Sequence, residues 1–346
     1  MLHTCAFRVD SDPEIGVGHL MRCLIIADKL LINGSDCVFL MTHVSEDNKK
    51  LIEKRGHCVA KIKNHEEYCS LLMSHKPEWL IVDHYKLDCK FELSNRKYVN
   101  KILVIDDLAD RCHDCDILLD QSPFRHKDEY FSLMDNDRVT YCLGNKYSLV
   151  RPGFIKKRRD ICSLKESIRM KYGLISLGGS DPKNITMELL YAIERVDSLR
   201  HISWYVIAGV NNMNWKKIKS YCLASDLTIV FKKNVENIEN IMHKVDFSIG
   251  GLGMMVWERA CIGLPSLSIK IADNQSSNEM MVNKYKLGEV LLASDISSEK
   301  IDEKITNLRT NYIEYIENGF ELVDGMGVDR LVNIMYKDLD KKRLTD

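Results

Sequence analysis

Short apolar segments alternate with amphipathic helical patterns through the first half of the chain. Residues 3–9 form the first apolar segment, and residues 18–31 follow with apolar side chains on one helical face. The same pattern predicts strands at residues 37–41, 79–82, 102–105 and 117–119, and a helix at residues 47–55. Such alternation predicts a parallel sheet with helices on both faces.

The alternation restarts after a polar and charged segment. It predicts strands at residues 172–177, 202–208, 227–231, 247–249 and 267–271, and helices at residues 184–196, 238–243, 254–262, 301–315 and 328–339. We therefore expect an α/β protein of two Rossmann-like domains, residues 1–155 and 172–346, joined by a linker at 156–171. The last predicted helix could extend from the second domain and pack on the first domain. The carboxyl-end rims of the two sheets are expected to face each other across a cleft.

Composition narrows the class of protein. The length of 346 residues exceeds a typical single domain of about 100–200 residues. The net charge of −1 gives no basic excess for binding nucleic acid. No apolar stretch approaches the ~20 residues of a membrane helix, so no membrane insertion is expected. Twelve cysteines without regular spacing indicate free thiols and a cytoplasmic protein. The pattern carries no signal for an oligomeric state.

The segment Cys112-His113-Asp114-Cys115 is the only part of the sequence that suggests a metal site. A structural zinc site needs two further ligands at matching spacing, and no second pair follows. We therefore expect no metal.

Two glycine-rich turns follow strands in the second half, and each precedes a helix. The first comprises Gly178, Gly179, Ser180 and Asp181, ahead of a helix that begins at Asn184. A helix N-terminus offers unpaired N–H groups and the positive end of the dipole, and glycine lets a phosphate approach the backbone.

The second turn, residues 250–253, ends at Gly253 ahead of a helix that begins at Met254 and Met255. The presence of two such turns at one rim of the sheet favours a nucleoside diphosphate site over the alternative that each is a tight turn without a ligand. One helical turn further, Glu258 could accept hydrogen bonds from two ribose hydroxyls, or it could be a surface residue beside Arg259.

In the first half, polar residues follow the apolar segments and are expected at one rim of the sheet. They are Asp10, Asp83, His84, Tyr85, Asp106 and Asp107. The loop after the first strand holds His19 between Gly16, Gly18 and Arg22. A neutral histidine in the first turn of a helix can accept a proton, as a general base must. The alternatives are a helix cap or a core histidine.

Several blocks of the chain, in order, resemble one enzyme family. They are residues 7–11, 15–19, 21–24, 82–85, 105–111, 113–116, 149–152, 178–182, 257–265 and 272–275. Together they resemble the UDP-sugar hydrolases of pseudaminic acid biosynthesis. The resemblance runs from about residue 5 to residue 330 and implies a GT-B-like fold.

The resemblance also implies an activity and a set of site residues. The activity is hydrolysis of UDP-2,4-diacetamido-2,4,6-trideoxy-β-L-altropyranose to the free sugar and UDP. His19 matches the family's base, while Tyr85, Asn274 and Gln275 match residues near the sugar and diphosphate. The two glycine-rich turns and Glu258 match the UDP-binding parts. Since UDP is a good leaving group, His19 would activate water with inversion at the anomeric carbon, using no cofactor and no metal.

One departure from the family pattern lies in the second turn. The family often carries Ser or Thr where this chain has Met254 and Met255, so backbone N–H groups alone would contact phosphate there. A glycosyltransferase of the same fold, a hydrolysing UDP-sugar 2-epimerase and a non-catalytic sugar-nucleotide binder stay open as alternatives.

Overall fold

The structure is a computed structural model that describes residues 4–11, 17–136, 138–161, 170–272 and 275–343. The chain forms two compact units. One comprises the residues up to Leu149 together with those from Met326 onward, and the other is Val150–Gly325.

The first unit is built on a parallel sheet of seven strands. They are β1 (Thr4–Val9), β2 (Asp36–Met41), β3 (Cys58–Lys61), β4 (Trp79–Asp83), β5 (Lys101–Ile105), β6 (Ile117–Asp120) and β7 (Thr140–Leu143). Their order is β3-β2-β1-β4-β5-β6-β7, and all neighbours run parallel. The chain reverses direction across the sheet between β1 and β4, which is where ligands bind in open α/β sheets.

The helices of this unit are α1 (Gly18–Ile32), α2 (Glu46–Lys54), α3 (His65–His75), α4 (Cys89–Asn95) and, from the end of the chain, α13 (Gly327–Arg343). The apolar face of α1 is buried against the sheet. α13 packs on α1, with Leu331 and Val332 fully buried. Tyr336 bonds Ser35 at 2.9 Å, and Arg330 donates to the carbonyl oxygen of Lys146 at 2.9 Å.

The second unit is built on a parallel sheet of six strands. They are β8 (Tyr172–Ser176), β9 (Ser203–Ala208), β10 (Ile229–Lys233), β11 (Phe247–Gly251), β12 (Ser266–Lys270) and β13 (Gly288–Leu292). The order is β10-β9-β8-β11-β12-β13, again with all neighbours parallel. The change of direction here falls between β8 and β11, which are the strands that precede the two glycine-rich turns.

Helices of the second unit are α5 (Pro152–Ile161), α6 (Ile185–Glu194), α7 (Trp215–Ala224), α8 (Glu239–Met242), α9 (Met255–Ile262), α10 (Ser276–Lys284), α11 (Ser298–Thr310) and α12 (Tyr312–Leu322). One apolar core joins this sheet to α6, α7, α11 and α12, with Trp204 and Phe247 in edge contact at a centroid distance of 5.4 Å.

The two parallel sheets with alternating helices confirm the predicted α/β class and its two Rossmann-like halves. The structure differs in three details. The predicted helix at residues 301–315 is two helices, α11 and α12, which meet at Asn311, whose amide bonds the Asn307 carbonyl. The chain passes from the first unit to the second at 149/150 and returns at 325/326. The segment predicted as a linker therefore contributes residues 156–161 to α5.

α5 belongs to the second unit because both of its ends are anchored there. Phe154 is fully buried, and Arg158 donates to the carbonyl oxygens of Cys261, Phe320 and Val323. The basic residues 156–159 gave this segment the composition of a linker. One of them, Arg158, instead donates hydrogen bonds to backbone carbonyls of the second unit.

Candidate active site and nucleotide-binding loops

His19, at the start of α1, is paired with Asp83, the last residue of β4. His19 Nδ1 lies 2.6 Å from Asp83 Oδ1. Arg22 Nη2 also lies 3.0 Å from Nδ1, but a carboxylate only accepts, so the shorter contact assigns the Nδ1 proton to the bond with Asp83. In the neutral form of the imidazole the lone pair is then on Nε2, and that atom can accept a proton from a ligand or from water. The adjacency of β1 and β4 in the sheet brings the two residues together.

Arg22, one turn further along α1, fixes Asp83 from the other side. Its Nε donates to Asp83 Oδ2 at 2.5 Å and its Nη2 donates to Oδ1 at 2.6 Å. Its remaining nitrogen donates to Asp107 at 2.8 Å. Burial acts to raise the pKa of the Asp83 carboxyl, but the Arg22 and His19 groups hold that pKa well below its usual range. Asp83 is therefore ionised and held in one orientation.

Tyr85 and Asp107 complete this cluster. The ring of Tyr85 contacts the His19 ring edge-on at a centroid distance of 4.5 Å, and 40% of Tyr85 is exposed. Burial of its hydroxyl and the neighbouring Asp107 carboxylate raise the pKa of Tyr85 above its usual value. Tyr85 is therefore neutral, with its hydroxyl bonded to Asp107 and its ring edge-on against the imidazole. Arg111 lies 5.8 Å from the centre of the Tyr85 ring.

Asp10 and Asp106, two further rim predictions, are buried and bonded within the protein. Asp10 accepts the backbone N–H groups of Thr42 and His43 and bonds Arg8 and His84. Burial acts to raise the pKa of Asp10, and the His84 and Arg8 bonds hold it below its usual range.

Asp106 has no exposed surface. It accepts hydrogen bonds from Tyr130 and the Ala109 backbone, and it pairs with Arg111. Neither Asp10 nor Asp106 leaves an open carboxylate for a sugar. Both instead fix the loops that follow their strands.

The first glycine-rich turn is shaped by Asp181. Its carboxylate accepts the backbone N–H groups of Ile185 and Thr186, at 2.8 and 3.0 Å, and so caps α6. A Cβ on Gly209 would collide with the carbonyl oxygens of Gly178 and Gly179, so β9 closely approaches the turn. Because the Asp181 carboxylate already bonds the N–H groups at the N-terminus of α6, an anion at this turn would contact the backbone of the residues before Asp181.

Asn184 and Ser180 flank this cap. Asn184 adopts the left-handed conformation, with φ +57°, and its buried Oδ1 has no hydrogen-bond partner among the described residues. Gly178 also has positive φ, +93°, which favours glycine. Ser180 is half-buried.

The second turn connects β11 to α9. The carbonyl of Gly251 accepts from Arg259 Nη2 at 2.9 Å, and the carbonyl of Leu252 accepts from Asn278 at 2.6 Å. A trans peptide directs its N–H opposite to its carbonyl, so the N–H groups of Leu252 and Gly253 point away from these two donors. Gly253 is exposed. Met254 and Met255 are half-buried, and the N-cap residue Met254 makes no side-chain capping bond to α9.

Glu258 is buried and forms a two-pronged ion pair with Arg151. Arg151 Nε and Nη2 donate to its two carboxylate oxygens at 2.5 and 2.9 Å. Burial acts to lower the pKa of Arg151, but Glu258 raises it above its usual value. Because Glu258 is buried, it is not a surface residue. A ribose that contacts Glu258 would have to share its carboxylate with Arg151.

The remaining predicted residues are placed as follows. Gly16 and Asn274 lie outside the described residues. Gly18 is exposed at the start of α1. The Gln275 side chain accepts the backbone N–H groups of Ile271 and Ala272, at 2.8 and 3.3 Å, and so closes the loop after β12.

Four residues near these sites were missed as site residues. Asp107 was expected at the rim of the sheet, and Arg111, Arg151 and Arg259 were named within sequence blocks or as neighbours, but none of the four was assigned a role. Asp107 had a signal, since it follows a buried strand. Arg151 and Arg259 had none beyond their charge. Within the described ranges, no group of three His, Cys, Asp or Glu residues is arranged to hold a metal ion. No helix in those ranges has the length and apolar character to cross a membrane.

Comparisons with known proteins agree with this architecture. No protein-family model matches the chain. The UDP-2,4-diacetamido-2,4,6-trideoxy-β-L-altropyranose hydrolase of Campylobacter jejuni is 26% identical over 80% of this chain and 95% of its own length. The uncharacterized protein MJ1062 of Methanocaldococcus jannaschii is 25% identical, covering 90% of this chain and 66% of its own length. SpsG, a spore coat polysaccharide biosynthesis protein of Bacillus subtilis, is 22% identical, covering 56% of this chain and 57% of its own length. The chain thus spans less than two thirds of the last two proteins.

Solved structures share the fold across almost the whole chain. Acinetobacter baumannii MurG has a TM-score of 0.64 at 12% identity, covering 97% of this chain and 100% of its own. The UDP-GlcNAc 2-epimerase of Neisseria meningitidis, bound to UDP-GlcNAc, has a TM-score of 0.64 at 13% identity with the same coverage. The fold is therefore GT-B-like, as predicted, and distant relatives have names that indicate sugar-nucleotide and polysaccharide metabolism.

Proposed function

We propose that this chain hydrolyses a UDP-sugar to the free sugar and UDP, with His19 as the general base. The observation that carries the proposal is the pair His19–Asp83, held by Arg22. Donation of the Nδ1 proton to Asp83 leaves Nε2 as the acceptor, and the bonds from Arg22 stop the carboxylate from rotating. An imidazole oriented by a fixed carboxylate is the arrangement that general-base catalysis uses.

The chemistry follows from the leaving group. A nucleoside diphosphate departs without a strong acid, so the demanding step is delivery of water to the anomeric carbon. His19 accepts a proton from that water, the water oxygen bonds to the anomeric carbon, and the bond to the UDP oxygen breaks with its electron pair. Attack opposite to UDP inverts the anomeric centre. The loop at residues 250–254 and the turn at residues 178–181 supply N–H groups for the diphosphate.

The similarity to the Campylobacter hydrolase supports one substrate, UDP-2,4-diacetamido-2,4,6-trideoxy-β-L-altropyranose. In this proposal Tyr85 presents its neutral hydroxyl to the sugar beside His19. Glu258 serves the ribose, and the backbone at Met254 and Met255 serves the phosphates. Asp83, Asp10 and Asp106 act as positioning residues rather than as direct sugar ligands, because their carboxylates are bonded within the protein.

One assay tests the proposal. The purified chain is incubated with this UDP-sugar, and UDP release and anomeric configuration are followed by NMR in the first minutes. We expect equimolar UDP and free sugar, the latter first appearing with inverted configuration. Transfer of sugar to an added acceptor would establish a glycosyltransferase instead, and 2-epimerised sugar would establish an epimerase. Binding without turnover would establish a non-catalytic sugar-nucleotide binder.

A further inference from the structure

Arg259 is a buried cation beneath the loop at residues 250–254. It lies on α9 and is 2% exposed. Its Nη2 donates to the carbonyl of Gly251 and to the hydroxyl of Ser268, at 2.9 and 3.2 Å. Its Nε is buried and has no hydrogen-bond partner among the described residues. All of these contacts are with neutral groups.

The neighbouring carboxylate of Glu258 offsets the burial of Arg259 only in part. Glu258 is next to it in sequence, but both oxygens of Glu258 bond Arg151. Burial lowers the pKa of Arg259 to about 10, against a usual value of 12.5, so the protein holds this charge at a cost. Within the described residues, the bonds of this buried guanidinium go to neutral groups, and such an arrangement is uncommon in a purely structural role.

The loop is built around this guanidinium. A Cβ on Gly250 would collide with Arg259 Nη1 and with the carbonyl oxygen of Ser176, so glycine at 250 makes room both for the guanidinium and for the neighbouring strand β8. The bond from Arg259 to the Gly251 carbonyl also directs the Leu252 N–H the opposite way, because the peptide is trans. The Arg259 side chain therefore supplies the buried positive charge and also helps to set the backbone geometry of the loop. The start of α9 adds the positive end of its dipole, and its N-cap residue makes no side-chain capping bond.

We infer that Arg259 is a specificity-determining residue for the diphosphate: it supplies the buried positive charge that an anion on the loop at residues 250–254 neutralises. This inference rests on the proposed UDP-sugar function. The structural observations are the burial, the unpartnered Nε and the fit of Gly250 around the guanidinium. Because the charge is buried, salt screens its attraction for a phosphate only weakly. It favours UDP over uridine without contacting either uracil or ribose.

The test compares UDP with uridine by isothermal titration calorimetry. Arg259→Met removes the charge and keeps the apolar stem, and Arg259→Gln removes the charge but retains an N–H donor in case the methionine variant does not fold. We expect both to lower the preference for UDP over uridine at least tenfold, with uridine affinity unchanged within about twofold. Arg259→Lys, which keeps the charge, should retain most of the preference.

Arg158→Met is the matched control. Arg158 is also an arginine bonded to carbonyls, but it lies at the far end of α9, about 12 Å along an eight-residue helix. Its loss should leave the preference unchanged. If wild-type protein prefers UDP and both neutral Arg259 variants keep that preference within threefold, the inference about Arg259 is overturned. If wild-type protein shows no preference for UDP, the proposed nucleotide function fails together with it.

Discussion

His19 donates its Nδ1 proton to Asp83 across 2.6 Å, although the two residues are 64 positions apart in the chain. This bond determines which imidazole nitrogen can accept a proton from water. Arg22 in turn holds the Asp83 carboxylate in the orientation that the imidazole needs. The proposed reaction depends on His19 directly and on Asp83 through His19, so replacing each residue should have a different effect.

Removing the base should stop turnover without affecting the nucleotide. We expect His19→Gln to lower kcat by at least 100-fold, the usual contribution of a general base. UDP affinity by calorimetry should stay within about twofold, since His19 belongs to the first unit and the proposed UDP loops to the second. His201→Gln, at an exposed histidine, serves as the control and should retain full activity. Turnover by His19→Gln within about tenfold of wild type would exclude His19 as the base.

Asp83→Asn should preserve the fold of the site but disturb the imidazole. An amide in place of the carboxylate can present an N–H to Nδ1, which then accepts and leaves the proton on Nε2. We expect kcat to fall by about 10²–10⁴-fold, as when the carboxylate of a Ser-His-Asp triad is replaced. NMR of the imidazole nitrogens gives the second readout, a change of tautomer. A variant with wild-type kcat would show that Asp83 is purely structural.

Apolar periodicity carried most of the information about the fold. It located β1, β4 and β11 because buried parallel strands are nearly continuous apolar runs. Short or half-buried elements such as β3 and α4 were missed because their sequences carry little apolar pattern. The rim rule placed Asp83 and Asp106 at the correct edge, but it could not reveal that both are fully buried.

The partners of the site residues were less predictable. Nothing in the sequence near Glu258 indicates Arg151, which is 107 positions away. Asp181 was predicted as part of a UDP-binding turn, and its carboxylate bonds the first two N–H groups of α6, a contact that the sequence did not indicate. Burial and pairing depend on packing across the sheet, which a single sequence does not specify.

The pair between Arg151 and Glu258 should contribute strongly to stability. Arg151→Met leaves a buried carboxylate without its partner, so we expect the free energy of unfolding to fall by about 3–5 kcal/mol. Urea denaturation measures this loss. Arg151→Met combined with Glu258→Leu should recover much of it, because no unpaired charge is left. Arg200→Met, which breaks an exposed pair with Asp197, should change stability little. A loss in Arg151→Met no larger than in Arg200→Met would contradict the prediction.

Gly209→Ala should disturb the turn at Gly178 and Gly179. The added methyl group collides with both carbonyl oxygens, which are backbone atoms and cannot rotate away. We expect UDP affinity to fall at least tenfold, measured by calorimetry, and stability to fall as well. The reverse finding, wild-type UDP affinity in a folded Gly209→Ala protein, would place the nucleotide away from this turn.

Stability should depend on pH through Asp10. Its bonds to His84 and Arg8 hold the folded-state pKa below the unfolded value of about 3.9, so the unfolded chain binds the proton more readily. The contribution is therefore fully present above about pH 4 and is lost as pH falls further. Urea denaturation at pH 6 and pH 3 should show a smaller decrease for Asp10→Asn than for wild type. Equal decreases would show that Asp10 does not titrate as described.

The packing of α13 on α1 has a consequence for synthesis. The first unit is built from two segments, Met1–Leu149 and Met326–Asp346, with Val150–Gly325 inserted between them. A ribosome therefore releases the complete second unit before it supplies the helix that covers α1. During that interval the nascent first unit exposes the surface that Leu331 and Val332 later bury. We therefore expect the first unit to complete its packing only after the segment Val150–Gly325 has been translated.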